Sequence, residues 1–170
     1  MSGSCFTIRR LGSSDADAFR LIRLEGLRND PEAFGSTFEK ESCEPGQYFV
    51  DRLTRSAVFG GFAGDRLVGV AGFYFFEDTK SRHKGVLWGM YVTPEARSSR
   101  LATALVETLL EHAGTEVEQV QLTVTASNGR ARRFYERMGF VQYGLEEKAL
   151  KYKGAYFDEV LMVKFLGRKE

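Results

Sequence analysis

The feature that most constrains this chain is a change of period between residues 85 and 113. Val86, Leu87, Trp88, Met90, Tyr91 and Val92 form an apolar run rich in aromatic and β-branched residues, the mark of a strand. From Leu101 the apolar residues recur every three or four positions. Leu101, Leu105 and Leu109 run beside Ala102, Val106, Leu110 and Ala113, which makes one broad helical stripe, and Glu107 and Glu111 fall outside it. Pro94 lies between the two patterns and ends the strand, because it cannot donate to a ladder. A strand that feeds directly into a helix leaves the helix's first N–H groups and the positive end of its dipole free, and such a terminus holds a phosphate by main chain alone. The first turn here reads Arg97, Ser98, Ser99, Arg100, Leu101, Ala102. Gly89, inside the strand, is either a packing glycine or the sign of a bulge or a close backbone approach.

Residues 5–10 read as a short strand, and Ser14 with Asp17 as a helix start before Phe19, Leu21, Ile22, Leu24 and Leu27. That helix should end near Arg28, where Asn29, Asp30 and Pro31 break it and Pro31 can open a second short helix. Residues 35–47 read as a loop and residues 48–53 as a short helical piece. Two apolar runs, 57–62 and 67–76, flank the hairpin signal Ala63-Gly64-Asp65-Arg66, and a polar connection covers 77–84. Val120, Leu122 and Val124 alternate through a strand at 119–125. Asn128 is a natural N-cap for a helix with Ala131, Phe134, Tyr135 and Met138 on one face and Gly139 as its stop. Residues 140–151 and 155–165 form a hairpin around Lys153-Gly154. The order β-α-α-β-β-β-α-β-α-β-β predicts an α/β (mixed α+β) fold in one domain over 1–170: a central twisted sheet of six to seven strands, helices on both faces and a crossover over 85–125.

Two segments carry a resemblance. Tyr91-Val92-Thr93-Pro94-Glu95-Ala96-Arg97-Ser98-Ser99-Arg100-Leu101-Ala102 and Asn128-Gly129-Arg130-Ala131-Arg132-Arg133-Phe134-Tyr135-Glu136-Arg137-Met138-Gly139-Phe140 resemble the acetyl-CoA and closing motifs of the GNAT N-acetyltransferase superfamily. That family's first motif usually reads Arg/Gln-x-x-Gly-x-Gly/Ala; this chain keeps Arg97 and Ala102 and has Arg100 at the middle glycine. An arginine tolerates helical backbone angles there, and it either points to solvent or adds charge-assisted hydrogen bonds to a diphosphate.

The resemblance implies a GNAT-like acyl-CoA N-acyltransferase fold, acetyl-CoA as cofactor, and coenzyme A as product. It assigns main-chain groups of Met90, Tyr91 and Val92 to the pantetheine arm, with an amide near Tyr91 or Val92 polarising the acetyl carbonyl. It places the diphosphate on the amides of Ser98, Ser99, Arg100, Leu101, Ala102 and Thr103 beside Arg97, and gives Asn128 a contact near the arm. Tyr135 becomes the catalytic proton donor to the departing sulfur; read on its own, a tyrosine on the apolar face of a helix is a core residue. Asn128 can be both cap and contact.

The base is not legible. Glu25, Glu77 and Asp158 are candidates, each otherwise a surface charge. His83 and His112 stand alone, and no metal site is expected. Trp88, Tyr91, Phe73 and Phe75 either line a substrate pocket or belong to the core, and the arginines from Arg130 to Arg137 either meet the ribose phosphate or form a solvated face. A formal net charge of +1 gives no global field for nucleic acid. Two cysteines, Cys5 and Cys43, are too few for a disulfide framework and fit a reduced, cytoplasmic setting. No apolar run is long enough for a bilayer, and the polar first residues do not resemble a signal leader. The aromatic terminal hairpin, with Tyr152, Tyr156 and Phe157, offers a surface for a homodimer. The expected activity is transfer of acetyl from acetyl-CoA to a primary amine of a small molecule or peptide. A non-catalytic acyl-CoA sensor and a nucleic-acid or protein module built on the arginine-rich helix are the alternatives.

Overall fold

The computed structural model of the protein describes residues 6–97 and 100–167. Ser98 and Ser99, two of the expected diphosphate residues, lie outside the described residues, as does Cys5. Seven strands, β1 (Phe6–Arg10), β2 (Ala57–Ala63), β3 (Arg66–Phe75), β4 (Lys84–Val92), β5 (Gln119–Thr125), β6 (Val141–Tyr152) and β7 (Ala155–Phe165), form one sheet in the order β1-β2-β3-β4-β5-β7-β6. Every neighbouring pair is antiparallel except β4 and β5.

The described residues form five α-helices: α1 (Ala16–Asn29), α2 (Phe38–Ser42), α3 (Gly46–Arg55), α4 (Leu101–Ala113) and α5 (Gly129–Arg137). The apolar stripe of α4 is fully used: Leu101, Leu105, Val106, Leu109 and Ala113 are buried in one core with β3, β5 and Tyr135. On the opposite face α1 and α3 bury Phe19, Ile22, Phe49 and Leu53 against Val58, Val70 and Tyr91 in a second core. Two cores on two faces of a sheet are the layered solution that the alternating strand and helix periods require.

Several expectations are corrected. The segment 35–47 is not a loop: Thr37 caps α2, its hydroxyl accepting the Lys40 N–H at 3.3 Å, and α3 already starts at Gly46. Pro31 opens a single 3-10 turn rather than a helix. The start of α1 is organised by Asp15, whose carboxylate accepts the Gly12 N–H at 2.8 Å and pairs with Arg9, and Ser14 and Asp17 take no part in that network. The turn at Arg97 precedes α4 instead of belonging to it; Arg100 is the N-cap and Leu101 the first helical residue. The Lys153-Gly154 hairpin is confirmed, both residues having positive φ as a two-residue turn of this twist demands.

Candidate functional site

The parallel pairing of β4 with β5 stops after three residues, Lys84↔Gln119, Gly85↔Val120 and Val86↔Gln121. The antiparallel pairing of β4 with β3 continues to Val92, with a register shift that sets both Gly89 and Met90 opposite Ala71. Gly89 has a φ of 62°, a left-handed backbone that a side chain disfavours, so the expected interruption is a bulge. The bulge turns β4 away from β5. From Leu87 to Val92 the β5-facing edge of the strand has no strand partner among the described residues, and that edge opens on a cavity of about 420 Å³.

This first cavity is floored by Leu122 and Val124 of β5 and walled by Asn128, Phe134 and Tyr135 at α5. Asn128 is held by its capping bond to the Ala131 N–H at 3.1 Å. Tyr135 is 7% exposed, packs edge-on against Phe134 and Phe140, and makes no hydrogen bond from its phenol to a described residue. Burial pushes its pKa up, so the phenol keeps its proton through the neutral range. Ala102 and Thr103 bring the start of α4 to the same cavity, and Arg130 and Arg137 line it. Arg100 is exposed and lies outside the lining. Leu101 turns its side chain into the core, which leaves only its main chain toward the helix terminus.

Arg97 also lines the first cavity, but its guanidinium is engaged: Nε donates to the Val92 carbonyl at 3.0 Å, the other end pairs with Asp30, and the group stacks on Tyr91. Tyr91 in turn donates to Glu25 at 3.0 Å and accepts from Asn29 at 3.1 Å. Burial, then the Glu25 carboxylate, raises its pKa against the opposing effect of Asn29. The end of α1 therefore fastens the free end of β4, and the carboxylate of Glu25, a candidate base, is engaged there by the Tyr91 hydroxyl.

A second cavity of about 820 Å³ adjoins the first, the two sharing Ala33, Phe34, Leu87, Trp88, Gly89 and Thr123. Its centre is a charged cluster that sequence reasoning missed. Arg23 of α1, 6% exposed, donates through Nε and Nη2 to both oxygens of the fully buried Glu41 at 2.9 and 2.7 Å. Arg52 of α3 lies 3.7 Å from the same carboxylate, donates to Tyr48 and stacks on Trp88 at 4.4 Å. Burial works against ionisation of Glu41, but the hydrogen bonds and charge of Arg23 outweigh it and hold its pKa below the usual carboxylate range. One signal was available: Arg23 sits on the buried stripe of α1, where an unpaired charge is not tolerated. Across the cavity, Glu159 of β7 accepts from Thr123 at 3.3 Å; burial and the neighbouring Glu146 raise its pKa.

Of the other candidates, Glu77 lines the second cavity, whereas Asp158 faces away and accepts the Lys148 N–H at 2.7 Å. Trp88 lines both cavities, Tyr91 the first and Phe75 the second, while Phe73 is core. His112 packs edge-on against Phe59 and Phe73. Among the described residues no cluster of His, Cys, Asp or Glu could hold a metal ion, and no helix is long and apolar enough to cross a membrane. Tyr156 of the terminal hairpin is exposed, and Tyr152 and Phe157 are half-buried.

The parallel pair splits beside a helix start, and Tyr135 is among the residues that line the cavity there. Residues 23–140 match the model of the acetyltransferase (GNAT) family, and the chain belongs to that family. Its fold is that of solved GNAT proteins. An acetyltransferase of the GNAT family from Streptococcus pneumoniae is 21% identical with a TM-score of 0.84, over 96% of this chain and 100% of that one. The yncA protein of Salmonella typhimurium, solved with its cofactor acetyl-CoA, is 16% identical with a TM-score of 0.80, over 98% and 97%. A phosphinothricin acetyltransferase from Sinorhizobium meliloti, in complex with acetyl-CoA, is 20% identical with a TM-score of 0.80, over 95% and 89%. No curated protein sequence matches the chain.

Proposed function

We propose that the protein is an acetyl-CoA-dependent N-acetyltransferase in which the first cavity takes the donor and the second the amine. The observation that carries this is the bulge at Gly89, which leaves the Leu87–Val92 edge of β4 uncovered where the two cavities meet. The residues present fit the cofactor. The free strand edge suits an arm that pairs as a strand does, the start of α4 at Ala102 and Thr103 offers main-chain donors for a diphosphate, and Arg130 and Arg137 add positive charge.

Bound acetyl-CoA supplies an activated acetyl thioester. The main chain of Met90, Tyr91 and Val92 orients it and stabilises negative charge on the acetyl oxygen, with Tyr91 tethered to Glu25 and Asn29 so that the donors do not move. Tyr135 holds a proton in a desolvated position beside the donor cavity and gives it to the leaving sulfur. Glu159, on the acceptor side, takes the proton that the amine sheds; its raised pKa makes it a better base than an ordinary carboxylate. Arg97 acts by holding the turn through Val92 and Asp30, and any contact of Asn128 with the arm comes in addition to its cap.

The test is release of free thiol from acetyl-CoA with a panel of primary amines, run beside calorimetry with coenzyme A. Amine-dependent thiol release is expected. Binding with no release for any amine would leave an acyl-CoA sensor, and no heat at millimolar coenzyme A would remove the donor cavity altogether.

A further inference from the structure

We infer that the second cavity selects an α-amino carboxylate, a free amino acid, as the acceptor; the inference rests on the donor and acceptor assignment above. Two guanidinium groups, Arg23 and Arg52, share the single carboxylate of Glu41, so the cluster carries one positive charge more than it neutralises. Both groups are held rigidly. Arg23 is clamped at two nitrogens by Glu41 and lies beside the rings of Phe34 and Trp88, and Arg52 is fixed by Tyr48 and the face of Trp88.

The third nitrogen of Arg23, Nη1, has no hydrogen-bond partner among the described residues. A Cβ placed on Gly89 would lie 3.5 Å from it, so this nitrogen sits at the junction of the two cavities. A buried cation with an unused donor facing a cavity calls for an anion, and a planar guanidinium pair matches the two oxygens of a carboxylate. The amine must reach the bulge to react. A carboxylate on Arg23 can then be only a short distance from that amine, which an α-amino acid satisfies and a polyamine or a lysine side chain does not. Glu159 lines the same cavity, as do Asp51 and Glu77, and a carboxylate there suits the amino group.

Trp88 is the chain's single tryptophan and lines both cavities, so its fluorescence reports binding without turnover. The full-length protein is titrated with non-fluorescent α-amino acids and, for each, with its amide and its decarboxylated amine. At least one amino acid should give a saturating change below about 10 mM, with its amide and amine roughly ten- to a hundred-fold weaker, the range for a charged hydrogen bond. Arg52→Gln, on a half-exposed residue, should lose affinity by about ten-fold with its melting curve intact, and Arg52→Lys should recover part of it. No saturation by any amino acid, equal binding of the amines, or wild-type affinity in Arg52→Gln would overturn the inference. Thiol release separates the two failures. An enzyme that acetylates amines without regard to a carboxylate sinks the inference alone, whereas amino-acid binding without thiol release sinks the transferase reading and leaves the selective cavity standing.

Discussion

The two cavities that meet at Gly89 are made of different material. In the proposed donor cavity the groups that would hold the ligand are mostly main chain: a strand edge freed by a bulge, a helix start and a capped helix within residues 84–137, with Asp30, Ala33 and Phe34 lining it from outside that span. The acceptor cavity is built from side chains that α1, α2, α3 and β7 bring together, and its centre is an ion cluster spanning 18 residues of sequence between Arg23 and Glu41. Main-chain donors are present whatever side chains a strand or helix carries, so the donor half specifies a class of ligand. In the proposed reading the acceptor half depends on particular charges, and specificity for the amine resides there.

If that contrast holds, the acceptor half should break hardest. Glu41→Gln leaves Arg23 buried beside a neutral amide, and removing one partner of a buried pair costs about 3–5 kcal/mol. Urea unfolding measures it. The pH dependence has a definite sign: native Glu41 holds its proton less tightly than the unfolded chain does, so its stabilisation is complete above the ordinary carboxylate range and is lost as pH falls through that range toward the lowered native value. Glu41→Gln should therefore unfold more easily at neutral pH and lose part of the wild type's acid sensitivity. An unchanged unfolding midpoint would show that the cluster is not fully desolvated.

Next in size is the side chain that the proposed mechanism assigns to the donor half. Tyr135→Phe keeps the ring packing with Phe134 and Phe140 and removes only the phenol oxygen. Turnover should fall at least ten-fold, within the roughly 10²- to 10⁴-fold scale of general acid catalysis, with coenzyme A affinity unchanged by calorimetry. Equal turnover would make Tyr135 a core residue and nothing more.

The same contrast governs what the sequence could reveal. The stripe of α4, the alternation in β5 and the Asn128 cap are periodic or local signals, and each element lies where its residues indicate. For Arg23–Glu41 the one local signal is Arg23 on the buried stripe of α1; its partner has none, because the pair forms only when α2 folds back on α1, and α2 itself is five residues with no apolar period. On β7 the miss was a matter of alternation. Successive residues of a strand face opposite sides, so Glu159 enters the acceptor cavity and Asp158, the expected candidate, does not.

Gly89→Ala probes the hinge between the halves. There is room for a methyl group, since the nearest atom is Arg23 Nη1 at 3.5 Å, so the cost is conformational: about 1–2 kcal/mol for a left-handed backbone at a non-glycine residue. A chain that relieves this strain by flattening the bulge would pair more of β4 with β5 and close the strand edge. Both stability and coenzyme A affinity should therefore fall, and amide hydrogen exchange at Leu87–Val92 should slow. Faster turnover or unchanged exchange would separate the bulge from the donor cavity.

The smallest effect belongs to Arg100, where the chain departs from the family's glycine. Arg100 is exposed, its side chain makes no capping bond, and it is absent from the donor cavity's lining, while its carbonyl accepts the first helical bond from Ala104 at 3.0 Å. A glycine provides that carbonyl equally well and costs only a few tenths of a kcal/mol at an N-cap. Arg100→Gly should therefore change coenzyme A affinity by less than about two-fold, inside the roughly 0.5 kcal/mol spread of surface substitutions. A ten-fold loss would mean that the guanidinium swings onto the diphosphate when coenzyme A binds. The donor half would then depend on a side chain for its affinity, and the distinction between a main-chain donor site and a side-chain acceptor site would hold only for the strand edge at Leu87–Val92.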